Sequence, residues 1–140
     1  MGKQAPSPIF ISQWGDSMTI KDAIDQVDDL CPNQYPKAKK VYWLSQLDAM
    51  IVNDTINKYE PGGMAEFTGY NGDTDDGTKL VVPAPYDALY LYYLQAQIDY
   101  WNRETAKYNN SITLYNEAFA RFVRYWRGSH TSKLQHMKYL

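Results

Sequence analysis

Few side chains in this chain are of a type suited to chemistry, and their spacing is poor for it. Asp73, Asp75 and Asp76, in the run DTDDG, offer carboxylate oxygens of the kind calcium takes. The alternating ligand positions and the closing Glu of a calcium loop are missing, however. Both histidines, His130 and His136, fall near the C-terminus outside any predicted core, so no buried base is available to a serine or cysteine nucleophile. A single cysteine, Cys31, excludes an internal disulfide, fits a reducing compartment, and beside Pro32 reads as a small packing residue. Asp28 and Asp29 are adjacent and point to different sides of a helix, so they do not form an acid and base pair. There is no Walker loop, no dinucleotide glycine pattern and no Cys or His spacing for zinc. These residues predict a protein with no catalytic residue, no metal and no cofactor. A small enzyme working through the loop carboxylates is the weakest reading, because no base or metal set accompanies them.

The elements that would position any site come next. At 140 residues the chain suits one domain with a real core. An apolar content of 44% with 21% charged residues is that of a globular protein, and no apolar run approaches the roughly 18 residues that span a bilayer. Met1-Gly2 followed by Pro6 lacks a myristoylation signal, and no export signal is legible. A net charge of -2 argues against wrapping nucleic acid, which needs clustered Lys and Arg. The charge is uneven: Asp16, Asp22, Asp25, Asp28 and Asp29 make the beginning acidic. After Glu117 only Arg121, Arg124, Arg127, Lys133 and Lys138 carry charge. Ends of opposite sign permit a head-to-tail contact between copies, although either cluster alone reads as a solvated face.

Residues 1–17 have no helical period and read as an arm, with Ile9, Phe10, Ile11 and Trp14 suited to docking. A first helix over 19–30 is predicted from Thr19 with Asp22 at its start and from Ile20, Ile24, Val27 and Leu30 on one face. CPNQYP ends it, and Pro36 opens a second helix over 36–59 through Val41, Leu44, Leu47, Ile51 and Tyr59. From 61 to 78 glycines and aspartates mark a long loop, with at most a short β-hairpin near 66–82, KLVV pairing with EFTGY. A third helix runs over 85–108 and a fourth over 111–127, with Gly128 as its stop. Asn109-Asn110-Ser111 is either a tight turn or a polar interruption of one bent helix. The domain is thus all-α over 18–128, flanked by the arm and by a basic tail over 129–140.

The third helix is the informative one. At about 100° per residue, Ala88, Gln95, Asp99, Asn102 and Ala106 make one narrow polar strip, while Tyr90, Leu91, Tyr92, Tyr93, Leu94, Ile98, Tyr100 and Trp101 spread over the rest. A monomer's surface helix carries a narrower apolar stripe, so this girdle calls for cover from a second chain as well as from its own. Tyrosine, with a ring that buries well and a hydroxyl that seeks a polar partner, suits interfaces. The candidate subunit contacts are Tyr90, Tyr93, Trp101, Tyr108, Arg121 and Arg124.

Three stretches carry a resemblance: TIKDAIDQVDDLCPNQYP with VYWLSQLDAMI, LVVPAPYDALYLYYLQAQIDYWNRETAKYNNS, and LYNEAFARFVRYW. Together, from Thr19 to Arg127, they resemble the small helical head-tail connector, or adaptor, proteins of tailed bacteriophages and prophages, particularly of phages infecting Gram-positive hosts. The resemblance implies a structural virion protein made in the bacterial cytoplasm and located at the neck. Its partners would be copies of itself in a ring, twelve-fold in such proteins, the portal protein, and a downstream neck or tail-completion protein. No membrane is implied, and DNA only passes through the channel. In look-alikes the chain starts near Met18, so the arm departs from the pattern, as does the basic tail. By position, Lys133, Leu134, Met137, Lys138, Tyr139 and Leu140 are the candidate portal-facing element. The reading from another class is a cytoplasmic helical module whose aromatic helix binds a partner peptide.

Overall fold

The computed structural model describes residues 17–60 and 67–138, with side chains as far as Ser129. The arm to Asp16, the loop at 61–66, Tyr139 and Leu140, and the side chains of Lys133, Leu134, Met137 and Lys138 lie outside the described residues. Four helices make up the described fold. Helix α1, Ile20–Leu30, opens with a capping box: the Thr19 hydroxyl accepts from the Asp22 amide at 3.0 Å and the Asp22 carboxylate accepts from the Thr19 amide at 3.2 Å. Its buried face is Ile20, Ala23, Ile24 and Val27. Helix α2, Lys37–Ile51, continues through a π-helical turn, Val52–Ile56, and a last turn, Asn57–Tyr59. The two helices are tied by Lys40, whose buried ammonium donates to Asp28 at 2.7 Å and to the Tyr35 carbonyl at 2.8 Å.

Among the described residues there is no strand, and the expected hairpin gives way to one antiparallel bridge between Thr19 and Lys79. The sequence KLVV pairs with the start of α1 because the backbone there has groups to spare: Leu80 N–H donates to Met18 C=O at 2.9 Å and Ile20 N–H to Thr78 C=O at 3.0 Å. Leu80, Val81 and Val82 then plunge into the core. After a cis Ala84-Pro85 bond, a 3-10 turn, Tyr86–Ala88, leads into α3, Leu89–Trp101, and then α4, Thr105–Lys138.

The break between α3 and α4 falls six residues or so before the one expected at 109–111. Arg103 adopts φ 61°, its amide donates to Tyr100 C=O at 3.0 Å, and the Glu104 amide donates to Asp99 C=O at 2.9 Å. These two bonds form a Schellman motif, with Arg103 in the left-handed position that glycine usually fills. Asn109-Asn110-Ser111 is regular helix, held from within by Ser111, whose hydroxyl donates to Asp99 at 2.8 Å. Gly128 does not stop α4 either: it is exposed, and a Cβ there would meet nothing within 4 Å. The 34 residues of α4 measure about 51 Å at 1.5 Å per residue.

Helices α3 and α4 share the largest contact in the fold and run antiparallel. Tyr86 stacks on Tyr125 at 4.7 Å, Tyr93 meets Tyr115 at 5.3 Å, and Asp99 reaches Ser111. One core cluster draws on all four helices and on Leu80 to Val82.

Candidate interaction surface

Two polar or aromatic constellations stand out, at opposite ends of α3. The first is internal. Asp48 lies on the apolar face of α2 between Leu44 and Ile51 and is fully buried. Its carboxylate accepts from the Tyr90 hydroxyl at 2.6 Å, from the Tyr70 hydroxyl at 2.5 Å and from the Val81 amide at 3.1 Å. The Tyr90 oxygen in turn accepts from the Val82 amide at 2.8 Å. Burial pushes the Asp48 carboxyl up to about 6, against the pull of its three donors, and raises both phenols well above their ordinary value. This clasp joins α2, α3 and the segment after Gly69; Asp48 and Tyr90 are fully buried and Tyr70 lies at its edge.

The second constellation is external. At the α3–α4 corner Tyr100 and Trp101 are 56% and 57% exposed, their rings edge to face at 5.1 Å, and Tyr108 closes on Tyr100 at 5.6 Å. With Arg103, Glu104 and Asn109 they line an open groove of about 550 Å³. The corner is rigid where it matters. The Schellman turn fixes the chain path, and the Tyr35 hydroxyl, from the α1–α2 connection, donates to Asn102 at 2.7 Å. Leu30, at the end of α1, is 65% exposed, and the adjoining Cys31 thiol is raised by burial and then by the charge of Asp99. The α1–α2 connection therefore adjoins the corner.

The chain matches no family model, no curated protein and no solved structure.

The structure distributes the six candidate contact residues unequally. Trp101 and Tyr108 come together at the corner. Tyr93 is half-buried against Tyr115, with part of its ring outward. Arg121 and Arg124 are exposed one turn apart on α4, about 20 Å along the helix from Tyr108 at 1.5 Å per residue. Tyr90 is a correction: its ring is fully buried and its hydroxyl spent on Asp48, so it belongs to the chain's own core and has no face to offer a neighbour. The expected polar strip also breaks, since Asp99 is buried and bonded to Ser111.

Sequence reasoning placed Tyr100 in the girdle but not among the candidate contacts, and it missed Asp48. A signal for Asp48 was present, a lone acid four residues after Leu44 in an apolar stripe. A buried acid in such a stripe needs donors from elsewhere. The loop acids do other work: Asp75 accepts from the Gly77 amide at 3.1 Å, and Asp76 pairs with Lys37 at 2.5 Å. Among the described residues no three His, Cys, Asp or Glu side chains converge on a metal-sized site. None of the helices there is long and apolar enough to cross a membrane.

Proposed function

We propose that this chain is a structural protein that assembles with copies of itself into a ring and joins portal to tail at the head-tail junction of a phage virion, without catalysis. The observation that carries the self-association is the corner: two large aromatic residues more than half exposed at a helix–helix turn, with Tyr108 beside them. Isolated exposed apolar residues are ordinary, whereas a contiguous patch marks an interaction site. Charge supports the same arrangement. Asp22, Asp25 and Asp29 are exposed on α1 and Arg121, Arg124 and Arg127 on α4. Opposite charges on different faces suit a heterologous contact that closes into a ring. The resemblance of Thr19 to Arg127 to connector proteins supplies the place in the virion, and the helix continuing past Trp126 to Lys138 is the portal-facing element by position.

A groove of about 550 Å³ also favours a second reading, a module that takes a partner's peptide at the corner. Size separates the two. A connector gives rings in negative-stain electron microscopy of the full chain and is found by mass spectrometry in purified particles. A chain that stays monomeric at high concentration and is absent from particles contradicts the connector.

A further inference from the structure

Residues 67–82 cross the body as a strap. Gly69, at φ 89°, brings the backbone so close to α2 that a Cβ would sit 2.6 Å from the Ser45 hydroxyl oxygen, which accepts from the Tyr70 amide at 2.9 Å. Tyr70 and Val81 then donate to Asp48, and Leu80, Val81 and Val82 are buried over it. The strap therefore supplies two of the three donors to the carboxylate and part of its cover. Among the described residues no cation acts on it. The groups facing Asp48 are the phenol and amide of the strap and the Tyr90 phenol of α3; from α4 the nearest titratable group is the Tyr115 phenol. All are neutral.

A buried carboxylate met only by neutral donors is uncomfortable as an anion, and the strap is what buries it. We propose that seating of the strap is proton-coupled: Asp48 takes up a proton from solvent as residues 67–82 close over it, so the strap grips more tightly in mild acid than at neutral pH. The hydrogen bonds can accommodate the change. As an anion, Asp48 accepts at one oxygen from Tyr90 and at the other from Tyr70 and Val81. When the second oxygen is protonated, its O–H donates to the Tyr70 oxygen. Tyr70, half-buried at the edge, turns its own hydrogen outward, and the Val81 N–H and Tyr90 O–H keep their acceptors.

The direction of the effect follows from where the carboxyl titrates. Burial holds it at about 6 under the strap, against an ordinary value of 3.8 that returns when water reaches it. Between those values the closed form holds a proton that the open form lacks. Closure thus strengthens as pH falls through 6 and levels off below about 4, by up to about 100-fold for a difference of about two pKa units. Of the strap's other charges Asp73, Asp75 and Lys79 are exposed and Asp76 meets Lys37; Asp87, beyond its end, accepts from the Met18 amide at 3.1 Å.

Hydrogen exchange of the full chain, read by mass spectrometry between pH 5 and 8 and corrected for chemical exchange rates, tests this. Protection of the amides over 67–82 is expected to rise by about 10-fold from pH 8 to pH 5, the rise setting in near pH 6, while helix-end amides that exchange by fraying, without uncovering Asp48, stay level. Asp48→Asn is expected to flatten the profile. Strap protection that is constant or falls in acid, an equal rise at helix ends that fray without uncovering Asp48, or a wild-type profile in Asp48→Asn overturns the proposal. If Asp48→Asn does not fold, Tyr70→Phe, which removes the oxygen that receives the acid's proton, must shift the pH at which the rise sets in; an unmoved onset is equally fatal.

Discussion

Tyr90 and Tyr100 stand on the same helix, within one aromatic run, and do opposite things. The ring of Tyr90 is sealed in the core with its hydroxyl committed to Asp48, whereas Tyr100 leans into solvent beside Trp101. Their neighbours make the difference. At its start α3 is covered by the 67–82 segment and by α2, which carry the acid and the amides that satisfy a buried phenol. At its end the turn into α4 and the α1–α2 connection leave Tyr100 and Trp101 more than half exposed. An aromatic girdle read from sequence is thus two regions: a clasp that builds the fold and an exposed corner, the surface we propose for a partner.

Substitutions at the two ends should separate these roles, and the largest effect belongs to the clasp. Asp48→Ala orphans two buried phenols and a buried amide; at about 1–3 kcal/mol for each unsatisfied donor, partly relieved by relaxation, the loss should be about 3–5 kcal/mol in urea denaturation at low protein concentration. Tyr90→Phe leaves the Val82 amide and one Asp48 oxygen without their partner and should cost about 1–3 kcal/mol, while Tyr100→Phe should change stability by less than about 0.5 kcal/mol. Equal costs would erase the distinction.

The turn that shapes the corner gives a smaller effect of opposite sign. Arg103 holds a left-handed conformation that costs a non-glycine residue about 1 kcal/mol, so Arg103→Gly should raise the thermal midpoint by several degrees. The smallest expected change is at Tyr115, whose buried hydroxyl has no hydrogen-bond partner among the described residues. Tyr115→Phe should be neutral or stabilise by up to about 1 kcal/mol. A clear loss there would mean that the hydroxyl has a partner after all.

Much of this fold was legible because its local signals are strong. Thr19 with Asp22 marks the start of α1, Pro36 opens α2, and the apolar stripes of both helices name their buried faces except at Leu30, which the end of α1 leaves exposed. The α3–α4 break was not legible, because its left-handed position holds Arg103 where a sequence reader looks for glycine. Asn109 to Ser111 misled for the converse reason: weak helix formers stay helical when Ser111 is anchored to Asp99 across the helix pair. The bridge from Lys79 to Thr19 and the clasp from Asp48 to Tyr70, Tyr90 and Val81 join residues far apart in the chain, which no periodicity encodes. At the candidate surface, Trp101 and Tyr108 could be named from sequence, but their meeting with Tyr100 depended on finding the turn.

The central claim is that the corner is where one copy meets another. Sedimentation velocity of the full chain and of Trp101→Ala, over a wide range of concentration, measures this most directly. The account predicts a closed oligomer for the natural chain and a folded monomer, with unchanged helical circular dichroism, for the variant; identical sedimentation of the two would contradict it.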